Sequence, residues 1–269
     1  HLKGKYADAR RTEIREEEAT EFTREDLIPH QKMIVTLTAG GFIKRLPAST
    51  YRVQHRGGRG VMGMVTREGD SVQHVLSADT HDSILFFTGR GRVYSVKCYQ
   101  LPEETSRTAK GTAIVNVIPV ELKDEITALL AVPRFAPGKF MVMASRKGVV
   151  KKTPLEQFAS IRRTGVIAIN LRSEDHLVSA QAASDNDEIV LVSQNGLANR
   201  FKVEELRTAS RSSGGVRGLR LSGDEIVGMD KVSIDVYLLT VTQRGYGKLT
   251  RVNAIPVHKR GGKGLRVHS

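Results

Sequence analysis

One pattern constrains this chain more than any other: from about residue 30 it repeats itself five times, roughly every fifty residues. Each unit opens with an apolar run: Met33 to Leu37, Ile84 to Thr88, Phe140 to Met143, Ile189 to Val192 and Val236 to Val241. A turn glycine follows each run. These are Gly41, Gly91, Gly148, Gly196 and Gly245, separated by 50, 57, 48 and 49 residues. Short β-branched and aromatic runs closed by glycine turns predict β-hairpins. Ile189 to Val192 is apolar at every position and predicts a strand buried on both faces. Helical periodicity is weak, so only short helical turns are expected, at residues 154–158 and 203–206. An all-β repeat of about fifty residues has the size of a propeller blade. Blades stack because one alone cannot bury both of its faces.

Charge narrows the class of partner. The chain carries 42 Lys and Arg against 29 Asp and Glu, a net +13. The first thirty residues hold 6 cations and 8 anions, so the repeats alone carry about +15. Glu13, Glu16, Glu17, Glu18, Glu21, Glu25 and Asp26 predict a solvated acidic connector over residues 1–30, preceding one β domain over 31–269. An excess of cations this large faces phosphate or an acidic partner. No apolar run approaches the ~18 residues of a membrane span, and no signal peptide is visible at the N-terminus. The single cysteine, Cys98, excludes an intramolecular disulfide framework and a Cys-based zinc site, and is expected in the core.

The cations follow the repeat. Lys44 and Arg45 come after the first turn glycine, and Arg92 and Lys97 after the second. Lys151 and Lys152, Arg200 and Lys202, and Lys248 and Arg251 complete the series. Arranged radially, they predict a band of positive charge.

A second turn in each unit is rich in glycine and arginine. In the first it reads Gln54-His55-Arg56-Gly57-Gly58-Arg59-Gly60. Its counterparts carry Arg107 and Lys110, Arg162 and Arg163, Arg211, and Lys259, Arg260 and Lys263. Glycine lets the backbone take φ > 0 and approach a ligand closely. Exposed N–H groups then form an anion-binding nest, and the flanking arginines bind phosphate bidentately. Such a loop suits a phosphodiester backbone and offers little to read base edges.

On these residues the chain resembles the C-terminal domain of DNA gyrase A. That family's box is Gln-(Arg/Lys)-Arg-Gly-Gly-(Arg/Lys)-Gly, and residues 54–60 match it at six positions, with His55 the departure. Lys5 to Ile14 resemble the junction with that family's cleavage core. The resemblance implies a β-pinwheel: a propeller-like ring of four-stranded blades that exchange strands with their neighbours, six being usual and five countable here. The N-terminal region from Thr12 to Phe22 is a candidate strand completing a neighbouring blade. Duplex DNA would wrap the rim, the box would lock the wrap, and the holoenzyme would introduce negative supercoils with ATP. The expected partners are double-stranded DNA, the rest of gyrase A, and gyrase B in an A2B2 assembly in the bacterial cytoplasm. The isolated domain is expected to be monomeric. No catalytic residue, metal site or cofactor is expected in this chain, ATP and Mg being needed only by the holoenzyme.

Three other readings compete with this one. Gly58-Arg59-Gly60-Val61-Met62-Gly63 fits a dinucleotide-binding fingerprint, but no amphipathic helix follows it. A non-catalytic propeller scaffold for an acidic protein would mix charge signs and expose apolar hot spots; 5% aromatic residues and no Trp argue against that. The topoisomerase IV paralogue is the nearest competitor, and the near-intact box favours gyrase.

Overall fold

The computed structural model describes residues 4–5, 25–51, 63–66, 68–121, 123–233 and 235–268. The box at 54–60, the expected strand at 12–22 and most of the acidic connector lie outside the described residues.

Hairpins form where the repeat predicts them. The first unit gives β1 (Lys32–Thr38), β2 (Phe42–Pro47) and β3 (Val72–Asp79). The second gives β4 (Ser83–Thr88), β5 (Arg92–Lys97), β6 (Thr112–Ala113) and β7 (Ile126–Val132). The third gives β8 (Phe140–Ser145), β9 (Val149–Pro154), β10 (Val166–Ile167) and β11 (Leu177–Ala183). The fourth gives β12 (Glu188–Ser193), β13 (Leu197–Lys202), β14 (Val216–Arg217) and β15 (Ile226–Val232). The fifth gives β16 (Tyr237–Val241), β17 (Gly247–Arg251) and β18 (Leu265–Arg266). The five hairpin glycines have φ of 77°, 78°, 82°, 77° and 83°, a left-handed conformation that glycine adopts without steric cost. A single 3-10 turn follows the second strand of each hairpin; the expected turns are found at Leu155–Phe158 and Val203–Glu205.

The sheets are not built from one unit each. Their strand orders are β3-β1-β2-β6, β7-β4-β5-β10, β11-β8-β9-β14 and β15-β12-β13-β18. The fourth strand of each sheet comes from the next unit in the chain. This is the strand exchange of a β-pinwheel. It is antiparallel and two residues long, as in Phe42↔Ala113 and Ile43↔Thr112. Strands β3, β7, β11 and β15 pack successively against one another and form the hub. The exchanged strands β6, β10, β14 and β18 therefore lie on the outer edge.

Strand alternation explains the unbroken apolar runs. In β4, Ile84 and Phe86 enter a core shared with β1 and β2. Leu85 and Phe87 enter the next one, with Met141, Met143 and Phe158. Ile189 and Leu191 face a third core and Val190 a fourth, so this strand is buried on both faces as expected. Cys98 is fully buried in the first core. A fully buried apolar side chain contributes about 1.5–3 kcal/mol, so these shared cores hold neighbouring sheets together.

The expectation of four strands fails at the fifth repeat, where β16 and β17 form a two-stranded sheet. The hub strands begin about thirty residues after their turn glycines, and the corresponding position in this unit lies past Ser269. Leu238 packs against the fourth hairpin, while Tyr237, Leu239, Val241 and Leu249 are exposed on the far face. Among the described residues no helix is long and apolar enough to cross a membrane.

Candidate nucleic-acid interface

The Gly/Arg turns of the second to fifth units lie on the outer edge because each leads into an exchanged strand. Residues 106–111 precede β6, 161–165 precede β10, 210–215 precede β14 and 258–264 precede β18. The turns close on themselves, as where Gly165 N–H donates to Arg162 O at 2.8 Å and Ser213 N–H to Ser210 O at 3.1 Å. They also join one another. Asn170 N–H donates to Ser213 O at 3.0 Å, Gly261 N–H to Gly218 O at 2.7 Å, and Arg220 N–H to Gly262 O at 2.8 Å. Along this outer border the loops of the third, fourth and fifth units are thus bonded backbone to backbone.

One residue in each of the first four hairpins fixes this border from within. It is the third after the turn glycine: Lys44, Tyr94, Lys151 and Asn199. Lys44 Nζ donates to Gly63 O and Ala109 O, both at 2.9 Å, and to Arg107 O. Lys151 Nζ donates to Ala168 O and Ser213 O, both at 2.9 Å, and to Arg211 O. Asn199 Nδ2 donates to Gly218 O at 3.0 Å and Lys259 O at 3.4 Å. In each case one carbonyl belongs to the exit of that unit's own loop and the rest to the loop of the next. An ammonium has three donors and no acceptor, so it suits three converging carbonyls. Tyr94 fills the same place by shape: a Cβ added to Gly165 would lie 2.5 Å from its ring.

These lysines are buried, which corrects the expectation that they form part of an exposed band. Lys44 is 0% and Lys151 1% exposed. Burial pushes the Lys151 ammonium down to about 8, and the Arg211 guanidinium adds to the effect. Burial also lowers Lys44, against the opposing pull of Glu104.

The neighbouring cations are drawn inward as well. Arg45 donates to Leu101 O at 2.8 Å and Tyr99 O at 3.2 Å, and pairs with Glu103 at 2.8 Å. Arg200 donates to Val252 O at 2.8 Å and Ile255 O at 3.0 Å, and pairs with Glu188. Lys152 pairs with Asp185 at 2.7 Å, its side chain 5% exposed. Each strand edge faces a neighbouring unit, so a cation there meets carbonyls and carboxylates before it meets solvent.

The remaining expected residues stay nearer the surface. Arg162, Arg163, Lys202, Lys248, Arg251, Lys259, Arg260 and Lys263 are exposed. Arg92, Lys97, Arg107, Lys110 and Arg211 are half-buried. Lys97 pairs with Glu25 at 2.8 Å. Lys110 lies over the Phe42 ring at 4.0 Å, and Arg92 donates to Thr164 O at 3.0 Å. Arg217, Arg220 and Arg266 are exposed beside the loops and fall outside the sequence expectation. The parallel between Gly215-Val216-Arg217 and Gly264-Leu265-Arg266 is the signal that marks two of them.

Comparison with known proteins matches this architecture. A family model described as DNA gyrase C-terminal domain, beta-propeller, matches residues 32–79, 82–133, 139–184, 187–233 and 237–267. The DNA gyrase A protein of Dehalogenimonas lykanthroporepellens is 46% identical over 265 residues, which cover 98% of this chain and 33% of that protein. The chain thus spans about a third of that relative's length. A solved DNA gyrase A C-terminal domain superposes with TM-score 0.73 at 27% identity, over 87% of this chain and 76% of that one. The C-terminal domain of a DNA topoisomerase IV gives the same TM-score and identity, over 90% of this chain and 74% of the other.

Proposed function

The chain belongs to the family of DNA gyrase C-terminal β-propeller domains, and from that premise we propose that it binds duplex DNA without sequence preference and bends it around its outer edge. The observation carrying this reading is the border of Gly/Arg loops, the last three bonded one to the next, bearing outward cations. A compact domain of about 240 residues has a radius of gyration of about 18 Å. Half a turn around it engages roughly 30 base pairs, and bending them by ~180° costs on the order of 10 kcal/mol. No single contact offsets that. Counterion release from many phosphates does, and it makes affinity fall steeply with salt. In the holoenzyme, the wrap supplies the chirality for ATP-dependent negative supercoiling. Partners are the rest of gyrase A, and gyrase B in an A2B2 assembly, in the bacterial cytoplasm. This domain supplies no catalytic group, metal or cofactor to the cleavage reaction.

The test is topological. The domain is bound to relaxed circular DNA, a relaxing topoisomerase is added, and the linking number is read after deproteinisation. A trapped shift that scales with bound protein is expected. Tight binding without any shift overturns wrapping.

A further inference from the structure

The eight histidines look scattered in sequence, and their spacing predicts no metal site. Folding brings two of them onto one carboxylate. His30 precedes β1, while Asp79 and His81 flank the turn between β3 and β4. One ligand atom from each lies within 4.8 Å of the other two. His30 Nδ1 is 2.8 Å from Asp79 Oδ1, and His81 Nδ1 is 3.4 Å from the same oxygen. The two imidazoles stack with centroids 3.9 Å apart.

Hydrogen bonding fixes which nitrogen of His81 is available. Its Nε2 lies 3.2 Å from Glu25 O, which can only accept, so Nε2 carries the proton. That leaves Nδ1 with a lone pair. Its neighbours are the Asp79 carboxylate and, at 3.3 Å, the Thr80 hydroxyl. Thr80 Oγ1 already donates to Pro29 O at 2.8 Å. Apart from that shared hydroxyl no donor faces this nitrogen among the described residues, so its lone pair is open to a cation. A histidine whose far N–H is held by a backbone carbonyl while its other nitrogen turns toward a second histidine and a carboxylate has the support usual for a metal ligand.

We propose that His30, Asp79 and His81 bind one divalent transition-metal ion of the zinc class. Two imidazoles and one carboxylate suit zinc, whose bonds run about 2.0–2.2 Å, better than magnesium or calcium, which take oxygen ligands. His81 and Asp79 are held in place: Asp79 Oδ1 accepts the His81 backbone N–H at 3.0 Å. His30, with its side chain 75% exposed, is the ligand that moves to close the site. The ion clips the segment before β1 onto the junction of the first two hairpins. That segment is already held there by Glu25–Lys97 at 2.8 Å and by Thr80 N–H to Gln31 O at 3.0 Å.

The test uses the whole 269-residue chain, stripped with chelator and titrated with zinc chloride by calorimetry. One zinc per chain and an upward shift in Tm are expected, with no comparable response to magnesium chloride. His30→Gln, at an exposed position that leaves the fold intact, should weaken zinc binding about tenfold or more and abolish the Tm shift. Asp79→Asn should do the same. Zinc binding equal in the wild type and both variants, or absent from all three, overturns the assignment.

Discussion

Lys151 and Arg211 meet where two repeats join: the buried ammonium of β9 donates to the carbonyl oxygen of an arginine in the next unit's outer loop. The arginine's guanidinium reaches the other way, donating to Gln157 O at 2.7 Å. A lysine that never reaches the surface thus sets the position of a cation that does. Lys44 and Arg107 stand in the same relationship two units earlier. The outer edge therefore carries two sets of cations, inner ones that shape the loops and outer ones that lie at the surface.

Replacing an inner lysine should cost stability first. Lys151→Met leaves three carbonyls without their donor, while removing a buried charge returns part of that cost. The net loss is expected to be about 3 kcal/mol, read as a lower denaturant midpoint with unchanged m-value. A change below about 0.5 kcal/mol would mean that the three bonds do not hold the loop.

The same lysine gives a pH signature. Its folded pKa is about 8 against an ordinary value of 10.5. Between those values the unfolded chain holds a proton that the folded chain has released, so stability from this group rises with pH. The wild-type minus Lys151→Met difference in unfolding free energy should be flat below pH 8 and should climb from pH 8 toward 10.5. A difference that falls across that window would reverse the assigned sign.

Outer cations should behave oppositely. Arg162→Ala with Arg163→Ala should leave stability within about 0.5 kcal/mol. If each arginine neutralises one phosphate, the slope of log affinity against log salt should fall in magnitude by about 2. Filter binding at several salt concentrations on a duplex of about 40 base pairs, one wrap plus flanks, measures it. An unchanged slope places these arginines off the DNA path.

Gly165 tests the shape-filled anchor. It has φ 72°, and its Cβ position lies 2.5 Å from the Tyr94 ring. Gly165→Ala should cost about 2–3 kcal/mol from the left-handed backbone and the clash together. In a Tyr94→Ala background the added cost should drop to the backbone part, about 1–2 kcal/mol. Equal costs in both backgrounds would remove Tyr94 from the argument.

The box is expected to act on geometry more than on affinity. Changing Arg56 and Arg59 to Ala should reduce trapped linking difference more than duplex binding, since the loops of the other units keep their cations. Loss of all binding would make the box the sole anchor.

The repeat was legible because glycine turns and apolar runs recur in register, and the doubly buried strands were legible because Ile189 to Val192 leaves no polar face. The inner lysines were not. Lys44, Tyr94, Lys151 and Asn199 share one structural position, but a search by charge groups Lys44 and Lys151 with Arg92 and Arg200, which sit at others. The presence of tyrosine and asparagine there is the cue: a phosphate-binding position keeps its charge, whereas a carbonyl-binding or space-filling one does not need it. The pairing of His30 with His81 was hidden for a different reason. It depends on which chain segment crosses the β3–β4 turn, and no local pattern encodes that.

The exchange of outer strands gives the array the mechanics of overlapping roof tiles. Each tile is pinned at its exposed edge by the one laid after it, always in the same direction along the chain. A pull on the edge of one tile is carried into its neighbour's hairpin rather than resisted locally. The overlap also has a sense, so the two ends of the row are inequivalent, and anything laid along it meets a surface with a built-in direction.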